Sequence, residues 1–194
     1  MTKIKFMLIL LIAVFLFSCE SSTKPESKMF TVTGSIDNVK NVTITDNMNV
    51  YVFWAVTATS PDYTYIWGKG TIDKDKMTFK IELPDNPPNE MLNMNSLGVG
   101  QILLLDDNNL QNGKLPFDFD RSKFVGIAGW YGIIYKANDS LDATIDWAKK
   151  FKNGFSIGEG VEGAGSFDSF KPMENGEVKI TIDDLGNIKI VNWT

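Results

Sequence analysis

Carboxylates are the side chains of this sequence that could carry acid–base chemistry in pairs. The chain has 24 Asp and Glu among its 194 residues, but 0 His and 1 Cys. Without histidine, Ser-His-Asp catalysis, Cys-His catalysis and His-ligated zinc are excluded. A single cysteine likewise excludes an internal disulfide, a zinc ribbon and a protein-held iron–sulfur cluster.

Two pairs of acids have a spacing that glycoside hydrolysis could use, since that reaction needs two carboxyl groups on either side of the scissile bond. The pairs are Asp118 with Asp120 and Glu159 with Glu162. Nothing in the flanking sequence separates them from the other acids of the chain, and the alternative is that all four are solvated surface residues. The sequence therefore favours a protein that is not an enzyme and keeps a carboxylate-based glycoside hydrolase as an alternative.

One acidic segment has the composition of a metal site. Residues 106–113 read Asp-Asp-Asn-Asn-Leu-Gln-Asn-Gly, and Asp118 follows. The segment resembles calcium-binding loops of the Asp-x-Asn-x-Asn-Gly type, with the glycine one position late. The resemblance implies calcium ligands at Asp107, Asn109, Gln111 and Asp118, because calcium takes oxygen ligands. The alternative is a polar turn that ends in Asn-Gly, in which case no cofactor is expected.

An aromatic row is the third candidate site. Tyr63, Tyr65 and Trp67 alternate along a predicted strand, so they share one face at intervals of about 6.5–7 Å. Such a row suits stacking against sugar rings or an apolar partner, and we expect a ligand-binding surface there. The alternative is that the same face packs into the protein core.

The N-terminus has the pattern of a secretory signal. Lys3 and Lys5 precede an unbroken apolar run at residues 6–17, which is shorter than the about 20 residues that a transmembrane helix needs. Leu16-Phe17-Ser18-Cys19 then resembles the lipobox of bacterial lipoproteins. The resemblance covers residues 1–19 and implies a signal peptide at 1–18, cleavage before Cys19, and lipidation of the Cys19 thiol and its new amino group.

This resemblance places the protein in the bacterial cell envelope as a lipid-anchored membrane protein. Glu20 is not the Asp that tends to retain lipoproteins in the inner membrane, so the outer membrane is favoured. Residues 20–28 are polar and cannot bury surface, which predicts a flexible tether after the lipidated cysteine. The remainder of the chain carries no family motif.

Charge narrows the list of partners. The formal net charge is −5, which argues against nucleic acid because phosphate neutralisation needs surplus Lys and Arg. The glycine-rich string at 158–163 contains Glu159 and Glu162, which would repel a pyrophosphate, so no nucleotide is expected. The expected partners are the membrane, through the anchor, and a glycan or an envelope protein.

Alternation of polar and apolar residues dominates from Phe30 onward and predicts strands. Residues 50–58 are apolar on both faces, which is typical of a central strand, while Gly126, Gly129 and Gly132 indicate bulges or bends. One short helix is predicted over 141–152, because Leu141 and Ala148 share an apolar face and lysines follow. The predicted strands are 31–36, 42–44, 50–58, 63–72, 77–83, 99–105, 124–136, 178–182 and 188–190.

Short strands with Gly, Pro and Asn between them predict a single antiparallel β-sandwich over residues 29–194, with the one helix inserted. The strand pattern is weakly similar to transthyretin-like and immunoglobulin-like domains, and a likeness of fold implies no function. The leading hypothesis is a non-catalytic lipoprotein that binds a glycan, a peptide or a partner protein. A structural subunit of an envelope assembly is a further alternative.

Overall fold

The described part of the chain consists of strands joined by turns, which confirms the all-β class. The computed structural model describes residues 29–54, 63–84, 87–92, 97–112, 114–116, 124–137, 146–160, 170–173 and 177–182. Residues 1–28, with the predicted signal peptide, Cys19 and the tether, lie outside these ranges, as does the predicted strand at 188–190. The strands are β1 (Phe30–Asn38), β2 (Met48–Trp54), β3 (Tyr63–Asp73), β4 (Thr78–Leu83), β5 (Leu97–Asp106), β6 (Leu115–Pro116), β7 (Gly126–Lys136), β8 (Gly154–Glu159), β9 (Lys171–Pro172) and β10 (Val178–Ile182).

Seven of these strands form a closed barrel, so the predicted β-sandwich is wrong. The order around the barrel is β10-β1-β4-β3-β2-β5-β7, and β7 pairs with β10 to complete the ring. Two long-range pairings close it: β10 lies parallel to β1, with Val178 opposite Gly34, and antiparallel to β7, with Thr181 opposite Ile127. Strands in which polar and apolar residues alternate occur in both a sandwich and a barrel. The two long-range pairings of β10 therefore decide between the two folds.

Strand β7 changes partner along its length. Its first residues pair with β10 at Ile127, and its second half, from Tyr131 onward, pairs with β8. The register between β5 and β7 shifts between Gln101 and Leu103, opposite the predicted glycine bends. A bulge of this kind bends the strand and increases its twist. As a result β8 leaves the barrel wall and faces β1 across a seam at one end of the barrel.

The barrel interior is filled by apolar side chains. Trp54, Ile102 and Ile180 are fully buried, and burying a side chain of this size stabilises the fold by about 1.5–3 kcal/mol. A barrel of this strand number encloses side chains rather than an open channel. The buried members of this core are Val32, Ile36, Val50, Val52, Trp54, Phe79, Ile81, Leu83, Met91, Ile102, Leu104, Ala128, Ile133, Tyr135, Phe155, Val178, Ile180 and Ile182.

Part of the outer wall is also apolar, and flanking segments cover it. Tyr51, Leu105 and Leu115 form one outer cluster, and a second cluster packs Ile134 against Phe151. Strand β5 lies under both clusters and is therefore buried on both faces. The two-faced burial predicted for residues 50–58 is confirmed for the described residues of β2, where both faces contribute buried side chains.

The helix predicted over 141–152 is wrong for its described part, and residues 141–145 lie outside the described ranges. Asp146–Lys150 is a five-residue 3-10 helix. Phe151 N donates to Ala148 O at 3.1 Å, three residues back, and both side chains are buried in the outer cluster. This spacing of three matches the 3-10 repeat, in which residues i and i+3 eclipse. No helix in the described segments is long and apolar enough to cross a membrane.

The strand predicted at 42–44 is also wrong. Residues 41–45 form an irregular connection between β1 and β2, held by the Asn38 side chain. Asn38 Nδ2 donates to Val42 O at 2.7 Å and Val42 N donates to Asn38 Oδ1 at 2.9 Å. Asn41 takes a left-handed conformation with φ of 52°, which breaks an extended run. Val42 and Ile44 still pack over the barrel core.

Candidate functional site

The aromatic row lies on β3, and its described member faces the protein interior. The indole of Trp67 is half-buried and stacks on Phe155 with ring centroids 6.2 Å apart. The carbonyl of Trp67 accepts a hydrogen bond from Trp54 Nε1 at 2.9 Å. The side chains of Tyr63 and Tyr65 lie outside the described parts of the structure. Ligand binding by the row stays a prediction, and Trp67 itself contributes to the packing of the barrel end.

Phe155 is the centre of an aromatic cluster that fills this end of the barrel. Its ring lies 5.2 Å from Phe30, 4.8 Å from Tyr135, 6.4 Å from Trp54 and 6.2 Å from Trp67 between centroids. The five residues come from β1, β2, β3, β7 and β8. Stacked and tilted aromatic pairs at these distances are favourable beyond their buried area. The aromatic cluster therefore holds β8 against β1 through side chains rather than through strand pairing.

A groove lies over the aromatic cluster, between the start of β1 and the start of β8. We call it the seam groove, and its volume is about 380 Å³. Phe30 and Phe155 contribute to its floor from the barrel interior, while two exposed lysines stand beside it. The residues that line the seam groove are Phe30, Thr31, Lys150, Lys152, Phe155, Ser156, Ile157, Pro172 and Met173.

The β1 side of the seam groove presents backbone groups that point away from β4. Ile36 N donates to Met77 O at 2.8 Å, so the even-numbered residues of β1 direct their backbone groups toward β4. Backbone groups alternate in direction along a strand, and Thr31 therefore points its N–H and C=O away from β4 and into the groove. Strand β10 begins to pair with β1 only at Gly34. Among the strands that the structure describes, none pairs with β1 at Thr31 on the groove side.

The β8 side presents a second edge of the same kind. Met173 N donates to Ile157 O at 2.8 Å, so the odd-numbered residues of β8 direct their backbone groups away from β7. Strand β9 pairs with β8 at Gly158 and Glu159, and Met173 extends this contact to Ile157. Phe155 thus directs its backbone toward the groove, where no described strand meets it. Two strand edges that no described strand pairs therefore face one groove, and an exposed strand edge is a template for an added strand.

The charge beside the seam groove is positive. Lys150 and Lys152 are exposed, and neither forms an ion pair within the described residues. The neighbouring Lys149 is paired with Asp146 at 2.7 Å. None of the described residues that line the groove is acidic, although the whole chain carries a net charge of −5. The groove is therefore a locally basic surface on an acidic protein.

Asp107, a predicted calcium ligand, is already hydrogen-bonded by protein groups on the outer wall. Its Oδ1 accepts from Tyr51 Oη at 2.5 Å and from Asn49 Nδ2 at 3.0 Å, and its Oδ2 accepts from Lys69 Nζ at 2.8 Å. Burial raises the pKa of Asp107, but hydrogen bonds from Lys69, Tyr51 and Asn49 outweigh it and hold the pKa below its usual value. Burial and the hydrogen bond to Asp107 raise the pKa of Tyr51 to about 12.

This network attaches the turn after β5 to β2 and β3. Of the other predicted calcium ligands, Asn109 and Gln111 lie in and just after that turn, and Asp118 lies outside the described residues. In the portion of the chain that the structure describes, no three His, Cys, Asp or Glu residues group together to hold a metal ion. A calcium ion bound at Asp107 would compete with the Lys69 ammonium, and the site stays a prediction.

The acid pairs considered for hydrolysis are only partly described. Glu159 lies on β8 with Oε2 at 3.7 Å from Lys171 Nζ, while Glu162, Asp118 and Asp120 lie outside the described ranges. The sequence did not indicate the polar partners of Asp107 or the seam groove. The sequence signal for the hydrogen-bond network around Asp107 was the presence of two polar side chains, Asn49 and Tyr51, two residues apart on one face of a strand. The strand edges beside the groove have no such signal, because backbone groups are the same at every residue.

The sequence matches no family model, no curated protein and no solved structure.

Proposed function

We propose that this protein is a lipid-anchored, non-catalytic binding module of the bacterial cell envelope that takes an extended segment of a partner protein into the seam groove. The observation that carries the proposal is the seam groove, with its aromatic floor and two strand edges, at Thr31 and at Phe155, that none of the described strands pairs on the groove side. A peptide added there would gain main-chain hydrogen bonds on both sides, which is the basis of recognition by strand addition.

A peptide is favoured over a glycan because of where Trp67, the described member of the aromatic row, points. Trp67 packs onto Trp54 and Phe155 inside the barrel end, so it offers no flat exposed surface to a sugar ring. A peptide is also favoured over a hydrolase substrate, since the lining residues that the structure describes include no carboxyl group to act as an acid. What the groove does offer is backbone hydrogen bonding over an aromatic floor.

The anchor part of the proposal rests on Cys19 and the tether. Nine residues, 20–28, separate Cys19 from the first described residue, Met29, and a chain of that length reaches about 30 Å when fully extended. Strand β1 begins at the seam groove, so an anchor at Cys19 would keep the groove within that distance of the membrane. The module would then bind partners close to the membrane surface.

Removing one backbone donor tests the binding site. Proline at Thr31 removes the N–H that points into the groove, while the pairing of β1 with β4 uses the even-numbered residues and is left intact. Peptides that bind the full chain would first be selected from a displayed random library. We expect Thr31→Pro to weaken the binding of these peptides by about tenfold or more. A tenfold loss corresponds to about 1.4 kcal/mol, which one backbone hydrogen bond and the obstructing ring together account for.

Thr31→Val is the matched control, because it keeps the N–H and a β-branched side chain. It should bind the selected peptides as the unmodified protein does, and both variants should keep the same melting temperature within a few degrees. Equal binding by Thr31→Pro and Thr31→Val would show that the peptides do not pair with β1, and the proposed site would be wrong.

A second substitution tests the anchor. Cys19→Ser removes the thiol that the lipid would modify, so the variant should no longer incorporate labelled fatty acid and should leave the membrane fraction or remain unprocessed. Fatty-acid labelling and fractionation of the full chain in a bacterial host would measure this. Cys19→Ser protein that still carries label would refute lipidation at this residue, without bearing on the peptide site.

A further inference from the structure

We infer that Lys136 is a positioning residue for the seam groove: its buried ammonium group holds the turn over residues 151–154 and thereby fixes where β8 begins. The consequence for binding rests on the proposed function, whereas the contact itself stands on the geometry around Lys136. Lys136 is not among the residues that line the groove, so its role is to place residues that are.

Lys136 is a charged residue in the interior of the fold. It is the last residue of β7 and is only 5% exposed. In the strand register it lies between Leu97 of β5 and Gly154 of β8. Burying an ammonium group costs free energy unless its donors are bonded, and an apolar side chain would fill the same place without that cost. The groups that the ammonium bonds therefore have to offset its burial.

One of these groups belongs to the backbone of the turn before β8. Lys136 Nζ donates to Phe151 O at 2.9 Å, and a hydrogen bond from a charged donor is stronger than one between neutral groups. Phe151 directly follows the 3-10 helix, where lysine side chains can bond the last carbonyls. Three residues later the chain lies opposite Lys136 again, at Gly154. Lys136 therefore holds both ends of the turn over residues 151–154.

This turn leads directly into Phe155, the centre of the aromatic cluster. Tyr135 lies opposite Phe155 in the register, and their ring centroids are 4.8 Å apart inside the barrel. Side chains alternate between the faces of a strand, so Lys136 acts from the other face. The last two residues of β7 thus hold the start of β8 from both faces. Release of the turn would leave Phe155 and Lys152 less firmly placed at the groove.

Hydrogen exchange of the full chain tests this contact. Lys136→Met keeps a side chain of similar length but removes the donors. The amides of residues 151–155 exchange when the turn opens, so loss of a hydrogen bond from a charged donor should speed their exchange by roughly 10- to 100-fold. Mass spectrometry of peptic fragments would measure it, with residues 178–182 of β10 as the internal reference. Equal acceleration in both segments would indicate a global loss of stability and overturn the positioning role.

Lys149→Met is the matched control. Lys149 lies on the same 3-10 helix, but it is exposed and is paired with Asp146 at 2.7 Å. Its replacement should leave the exchange of residues 151–155 unchanged. Acceleration as large as that in Lys136→Met would mean that loss of either lysine loosens the turn, and the assignment to Lys136 would be overturned.

A second measurement needs no variant and therefore serves even where Lys136→Met fails to fold. The hydrogens of a buried, bonded ammonium group exchange with water only when the structure opens. In NMR spectra of the unmodified protein, the Lys136 ammonium hydrogens should therefore exchange more slowly than those of the exposed lysines. Equally fast exchange would refute the contact with Phe151 O.

Peptide affinity separates this inference from the proposed function. A site binds more weakly in proportion as its competent conformation is less populated, so Lys136→Met should weaken binding of the selected peptides by about threefold or more. Lys149→Met should not weaken it. Faster exchange with unchanged affinity would show that the turn does not position the groove, and the inference would be wrong. Peptides that ignore Thr31→Pro would instead overturn the proposed function, and exchange alone would then decide whether Lys136 places the turn.

Discussion

Replacing Gly34 with alanine should break the barrel open where β1 meets β10. A Cβ atom at this position would lie 2.0 Å from Val178 O and 2.6 Å from the ring of Phe79. Neither neighbour can move cheaply, because Val178 is fully buried in the paired strand and Phe79 is buried in the core. We expect a loss of more than about 3 kcal/mol in the free energy of unfolding, at the upper end of overpacking effects. Denaturant titration followed by tryptophan fluorescence would measure it.

Gly129→Ala is the control for this prediction. Gly129 also lies in a strand, β7, but a Cβ built there meets nothing within 4 Å. Its substitution should change the free energy of unfolding by less than about 0.5 kcal/mol, as is usual for open surface positions. If Gly34→Ala were as stable as Gly129→Ala, the parallel pairing of β1 with β10 would be absent and the barrel would not be closed there.

The strands were predictable from the sequence because their signal is local. Alternation of apolar and polar residues in segments such as 31–36 and 178–182 depends only on neighbours along the chain. Closure of the barrel was not predictable from such a local pattern. It depends on the pairing of the first and last described strands, and on β7 exchanging β10 for β8, which no short-range pattern encodes. The helix prediction failed for a related reason, since Ala148 and Phe151 have a spacing that both a helix and a 3-10 turn satisfy.

The candidate site was also predictable only where its signal is local in the sequence. Alternation predicts that Tyr63, Tyr65 and Trp67 share a face of one strand, but it does not say whether that face lies inside or outside a curved sheet. The contacts of Trp67 with Trp54 and Phe155 place its indole at the interior. The seam groove was not predictable, because its sides are formed by the starts of β1 and β8, which are far apart in the chain.

Trp54→Ala should cause a comparably large loss of stability. The Trp54 side chain is fully buried, and its indole lies 5.9 Å from Trp67 and 6.4 Å from Phe155 between ring centroids. Truncating a buried tryptophan to alanine costs about 3–5 kcal/mol through lost packing and the cavity left behind. The substitution would also leave the Trp67 carbonyl without its indole donor. Thermal and denaturant unfolding of the full chain would measure the loss.

Trp54→Phe separates the contribution of packing from that of the hydrogen bond to the lost free energy of unfolding. It keeps an aromatic ring in the cluster but removes Nε1, so its cost should be smaller, about 1–3 kcal/mol for the unpaired carbonyl. Because the cluster underlies the seam groove, Trp54→Phe protein that remains folded should still bind the selected peptides through the backbone of Thr31. A loss below about 1 kcal/mol in Trp54→Ala would mean that this end of the barrel is loosely packed. The aromatic floor argued for the seam groove would then have no rigid support.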